Sequence, residues 1–211
     1  MNTTTFTHRL GKRSGKVGAL LGLLFLTAGH ALALPTIIID AGHGGHDLGA
    51  DDSLVYEKHI NLDVARRLER TLNELGFRTV LTRQTDDFIP LDTRADIANK
   101  QRNALFVSVH FNSSWKTKVT GIETFHHDSQ SREFAEMVQR YLVKNIGAEN
   151  RGVKTASFLV LRKTRHPAVL VEGGFVSNDT ERAAMMDPLY RQVVADSIAR
   201  GVVDYANAHR F

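Results

Sequence analysis

The sequence predicts an α/β fold: a single domain with a mostly parallel central sheet of about six strands flanked by helices. Three observations carry this. Short apolar runs rich in Val, Ile, Phe and Thr alternate with stretches whose apolar residues repeat near the helical period. That alternation feeds parallel strands through crossover helices. The 211 residues suit one domain with a sizeable core, and no repeat, low-complexity tract or heptad run interrupts them.

The first segment stands apart. Arg9, Lys12, Arg13 and Lys16 precede an apolar run, VGALLGLLFL, that is short for a bilayer, and Ala31-Leu32-Ala33 follows as a small-x-small site. Residues 1–33 therefore read as a cleaved secretory leader and residues 34–211 as the domain. A retained anchor is the alternative that the short run and the cleavage site disfavour. Without an adjacent Arg-Arg pair the Sec route is favoured, into the periplasm or else the cell-wall space.

Strands are expected at 36–40, 78–82, 105–110, 121–126, 158–162 and 168–172, each rich in β-formers. Between them, Ile60, Val64, Leu68, Leu72 and Leu75 mark a helix that Gly76 stops. Residues 92–101 read as a shorter helix. Phe134, Val138, Tyr141 and Leu142 mark another, and 190–207 a last one with Val194, Ile198, Val202 and Tyr205 on one face.

Composition excludes several functions. The net charge of +4 sits in the leader: its four basic residues leave 23 basic against 23 acidic, so nothing argues for a nucleic-acid partner. No stable membrane span is expected after leader cleavage. The chain has no cysteine, which excludes disulfides and thiolate metal sites.

In parallel sheets ligands bind beyond the carboxyl ends of the strands, and three predicted strands end in chemistry. The first runs into IIIDAGHGGHDLGA, with Asp40 and His43. The glycines suggest a phosphate loop, but neither G-x-x-x-x-G-K-[ST] nor G-x-G-x-x-G is present. His110 ends ALFVSVH, and Glu57 opens the first long helix. His43, Glu57 and His110 can meet at one sheet edge, and two imidazoles plus a carboxylate suit a zinc ion with an open position. Spacing alone does not decide it. Glu172 closes an all-apolar strand in HPAVLVEGGFVSN, a costly place for an unpaired carboxylate. It could serve as general base and acid beside a metal, or cap a helix, or pair with Arg83.

IIIDAGHGG with its following GA, the glutamate at position 57, VSVHFNS and VLVEGGFVSN, in that order, resemble the zinc-dependent N-acetylmuramoyl-L-alanine amidases of the bacterial cell wall, of the cell-separation catalytic-domain type. The resemblance spans about residues 36–207. It implies one Zn2+ on His43, Glu57 and His110, with Glu172 as the catalytic carboxylate. It implies peptidoglycan as partner and cleavage of the amide between N-acetylmuramic acid and L-alanine. A catalytically inactive wall-binding protein of the same fold, or a zinc peptidase acting on another amide, are the alternatives. Some relatives carry a long insertion after the GIETF strand, with a helix that plugs the site. Here GIETFHHDSQSREF passes straight into a helix, so an open site is expected. The sequence identifies no protein activator and no appended wall-binding module.

Other residues near these motifs have two readings each. Asn112 is a substrate contact or a turn cap. Arg83 holds a stem-peptide carboxylate or is a loop charge. Asp40 orients His43 through a hydrogen bond or shapes the turn. His46 and His59 read as solvated, at most one of His126 and His127 as near the site. Trp115 reads as packing its own loop, with sugar or peptide stacking the second reading.

Overall fold

The computed structural model describes residues 34–52 and 55–209. The expected leader lies outside them. In chain order the elements are β1 (Thr36–Ala41), β2 (Asp51–Asp52), β3 (Val55–Tyr56), α1 (Glu57–Glu74), β4 (Thr79–Leu81), α2 (Leu91–Asn99), β5 (Ala104–Asn112), β6 (Ile122–His126), α3 (Ser129–Ile146), β7 (Asn150–Thr155), α4 (Leu159–Lys163), β8 (Ala168–Phe175), α5 (Asp179–Met186) and α6 (Pro188–Ala208).

Ile37, Ile38 and Ile39 are all fully buried. A strand apolar on both faces needs cover on both, the condition of a parallel sheet between helical layers. The six-stranded sheet runs β4, β1, β5, β8, β6, β7, and β2 pairs separately with β3. Neighbours are parallel except β6 and β8, which are antiparallel.

The two faces are covered unequally. Ile37, Ile39, Val107 and Val171 point into a large core completed by Leu68 and Leu72 of α1, Phe134, Val138 and Leu142 of α3, and Ile198 and Val202 of α6. The opposite face, with Ile38, Phe106 and Leu170, meets Ile97 and Ala98 of α2 and Val160 and Leu161 of α4. Two short helices cannot roof a whole sheet.

The helix ends follow local chemistry. The Asp128 carboxylate caps α3 by accepting from Ser131 N, and Asn178 caps α5 through Thr180 N and Glu181 N. Asp187 accepts from Leu189 N at the start of α6, where Pro188 has no N–H to lose.

One expected strand is a helix. Residues 158–162 coil, with Leu161 N and Arg162 N both donating to the Phe158 carbonyl. Their apolar residues bury against the sheet face instead of pairing with it. The sixth strand is β7, NRGVKT, whose polar composition hid it from the apolar pattern. It lies at the sheet edge, where charged residues are the usual protection against pairing with another chain.

Candidate metal centre

β1, β5 and β8 lie side by side and end at one edge. His110 on β5 sits in register with Glu172 on β8. On the other flank β1 gives way to Gly42, whose N–H donates to the Val109 carbonyl at 3.1 Å. The His110 ring lies across that residue: a Cβ on Gly42 would stand 2.2 Å from its Cε1. Gly49 makes room from the other side. A Cβ there would stand 2.5 Å from Glu57 Oε2 and 2.6 Å from His43 Cδ2, and its φ of +70° is one that L side chains rarely adopt.

His43, Glu57 and His110 each present a ligand atom, all within 4.8 Å of one another. Glu57 Oε2 lies 3.1 Å from His43 Nε2 and Oε1 lies 2.9 Å from His110 Nδ1. Glu57 opens α1, where the helix dipole favours an anion. Its oxygens also accept from Ala50 N, Asn61 Nδ2 and Phe111 N. Burial alone would raise this carboxyl. The hydrogen bonds and charges of the two imidazoles outweigh it and hold Glu57 far below the ordinary carboxylate range. Burial likewise opposes protonation of His43, but Glu57 and Asp47 override it and raise the imidazole.

His43 has a φ of 60°, the only left-handed backbone outside glycine among the described residues. Such a conformation costs about 1–3 kcal/mol and needs support. Arg94 supplies it, donating to the His43 carbonyl at 2.7 Å, to the Ala41 carbonyl at 2.7 Å and to Asp40 Oδ1 at 2.8 Å. The ring is fixed separately: His43 Nδ1 lies 2.9 Å from Asp47 Oδ2.

Glu172 lies in the same cleft and is half-buried. Its Oε2 is shielded from water with no hydrogen-bond partner. Burial, then the charges of Glu57 and Glu123, push its carboxyl well above the usual range. Glu123 stands opposite on β6, ion-paired with Arg151 and Lys154 and accepting from Asn112 Nδ2. The cleft holds about 430 Å³, with Phe88, Ile89, Leu91, Phe158 and Val160 among its apolar lining and His43, His110 and Glu172 among its polar groups, beside Asp40, Asp47 and Arg94. Apolar walls with a few convergent polar groups are the usual form of a small-molecule site.

Several sequence expectations are corrected. Asp40 does not touch the His43 side chain. Its carboxylate accepts from Thr82 Oγ1, Ser108 Oγ and Arg94, so it reaches His43 only through Arg94's grip on the backbone. Arg83 is buried and faces neither the cleft nor Glu172. It donates to the carbonyls of Ala41, Gly42, Lys58 and Thr85, which ties the turn after β1 to α1 and to its own loop. Asn112 donates to Glu123 and accepts from Ser113 N, bonds that support the turn-shaping reading. His46 and His59 are exposed, in agreement with their solvated reading. His126 and His127 bond the Asp128 and Ala156 carbonyls, away from the metal group. Trp115 packs no loop; it is 87% exposed.

The sequence assigns no role to Asp47, Asn61, Arg94 or Glu123. Only Asn61 carried a signal, one helical turn after Glu57 and hence on its face.

The family model described as N-acetylmuramoyl-L-alanine amidase matches residues 37–204. The chain belongs to this amidase family. Among its relatives, the N-acetylmuramoyl-L-alanine amidase LytC of Bacillus subtilis is 37% identical over 174 residues, 81% of this chain but 35% of LytC. The probable cell wall amidase LytH of Staphylococcus aureus is 32% identical, over 82% of this chain and 59% of its own. The chain thus spans about a third to three-fifths of these two amidases. Among solved amidase structures, the catalytic domain of CwlV from Bacillus (Paenibacillus) polymyxa var. colistinus superposes with a TM-score of 0.80 at 36% identity, covering 83% of this chain and all of CwlV's.

Proposed function

We propose that the protein is an exported zinc hydrolase that cleaves the amide between the lactyl group of N-acetylmuramic acid and L-alanine of the peptidoglycan stem peptide. The observation that carries this is the meeting of His43, Glu57 and His110 within 4.8 Å, in one cleft with Glu172. The donors fit the metal: nitrogen and oxygen ligands, no thiolate, and hydrogen bonds that fix the carboxylate and one imidazole. A bound zinc ion would polarise the amide carbonyl and acidify a water molecule.

The rest falls to the protein. Glu172, basic enough to hold a proton and unengaged at Oε2, takes one from the attacking water. The water oxygen adds to the lactyl carbonyl. As the carbon–nitrogen bond breaks, Glu172 returns the proton to the departing alanine nitrogen, leaving a lactyl carboxylic acid and a free amine. The apolar walls keep bulk water from the exchange.

An open site is part of this reading, supported by one short connection among the described residues. β6 joins α3 through His127 and Asp128 alone, at the end of β6 remote from Glu172, so no segment there reaches the cleft. Among the described residues no helix is long and apolar enough to cross a membrane. The leader expected at residues 1–33 accounts for export to the compartment of the substrate, the periplasm or the wall.

The test is incubation with purified peptidoglycan, with and without a chelator, products read by mass spectrometry. Stem peptides with a free L-alanine amine, lost with chelator and restored by zinc, are expected. Intact muramoyl–peptide links in the zinc-loaded protein would overturn the reading.

A further inference from the structure

Trp115 is the only tryptophan of the chain. It is 87% exposed, the most exposed large apolar side chain among the described residues. An indole left in water forgoes the burial that folding normally gives it. Its loop is nevertheless held firmly. Ser114 N donates to Ser177 Oγ at 2.9 Å, Asn178 Nδ2 to the Thr117 carbonyl at 2.8 Å, and Val119 N to the Lys116 carbonyl at 3.0 Å. The loop therefore ties the exit of β5, which carries His110, to the exit of β8, which carries Glu172. The backbone that carries the indole is thus held at the end of the sheet where β5 and β8 exit.

We propose that Trp115 is a platform for a sugar ring of the glycan strand next to the scissile amide, an inference that rests on the amidase reading above. A sugar ring offers a flat C–H face that an open indole matches without enclosing walls. A peptide would need backbone partners, yet the N–H groups of Ser113, Ser114, Lys116 and Val119 are already engaged. The Lys116 ammonium lies 4.7 Å from the ring centre and enriches the platform with a donor for sugar hydroxyls. The cleft, with its apolar lining, is left for the peptide side of the bond.

Because the chain has no other tryptophan, emission excited beyond the absorption of its tyrosines reports on Trp115 alone. Titration with a peptide-free N-acetylglucosamine–N-acetylmuramic acid hexasaccharide should give a saturable blue shift. Free stem peptide or anionic phospholipid vesicles should give none. Trp115→Ala should raise KM for polymeric peptidoglycan about tenfold, with kcat on a muramoyl dipeptide unchanged and Trp115→Phe largely restoring KM. A shift with peptide or vesicles instead of glycan, or an unchanged KM in Trp115→Ala, would overturn the platform. The two readings fail separately. Silent fluorescence in a protein that cuts peptidoglycan sinks only the platform, whereas a glycan shift in a protein that cuts nothing sinks only the amidase reading.

Discussion

Gly42 sits in ordinary backbone, so alanine there meets no conformational penalty. It fails for space, because the His110 ring already occupies the position a Cβ would take. Gly42→Ala should fold yet bind zinc at least tenfold more weakly, as displacing a ligand or its support typically costs; competition with a chromophoric chelator measures it. Asp47→Asn and Asn61→Ala remove the partners of His43 and Glu57, and each should weaken zinc by about 10–100-fold in the same assay. Glu172→Gln should separate the roles: zinc binding retained, turnover down by roughly 10²–10⁴. A variant that loses zinc as well would make Glu172 a ligand.

At the scale of elements, what the sequence revealed and what it hid divide along physical lines. Strands buried on both faces, such as β1, β5 and β8, announce themselves by composition. Helices long enough for several periods, α1, α3 and α6, do so by spacing. The edge strand β7 is polar because its position demands it, and α4 is too short to show a period. The site divides likewise. His43 and Glu172 stand next to glycines, Glu57 opens α1 and His110 follows the apolar run of β5, so all four stand out. Arg94 looks like any helical arginine until the fold buries it against Asp40. Where α3 crosses α6, a Cβ on Gly201 would stand 2.7 Å from Val138 Cα. Helix propensity favours alanine over glycine by about 1 kcal/mol. A clash with backbone cannot relax by side-chain rotation, and overpacking of this kind costs about 1–3 kcal/mol. Gly201→Ala should therefore lower stability in urea unfolding, and a gain would show that the crossing is looser than it stands.

The whole molecule has no disulfide to lean on, so its cross-ties are non-covalent, and the Asp40–Arg94 pair is the most deeply buried ion pair of the described residues. Burial alone would raise the Asp40 carboxyl. Arg94's charge and the hydrogen bonds from Ser108 and Thr82 reverse that and hold it below 3.8. A carboxyl lowered on folding contributes stability that is complete above its unfolded value. That contribution fades as pH falls below about 4 toward the folded value. Asp40→Asn strands Arg94 and should cost about 3–5 kcal/mol at neutral pH. The gap to wild type should narrow in urea titrations run at pH 3.5; a constant gap would place the acid sensitivity elsewhere.

The unequal roofing of the sheet also bears on how such a molecule changes over time. The metal donors and Glu172 stand on β5, β8, the start of α1 and the turn after β1, all rooted in the thick core. The cleft walls, Phe88, Leu91 and Phe158, come from the segment before α2, its first residue and the residue before α4, on the thin side. On the function proposed above, substitutions in those walls would retune which stem peptide is accepted and leave the hydrolytic machinery intact. Chemistry and selectivity are thus inherited as separate modules within one small domain.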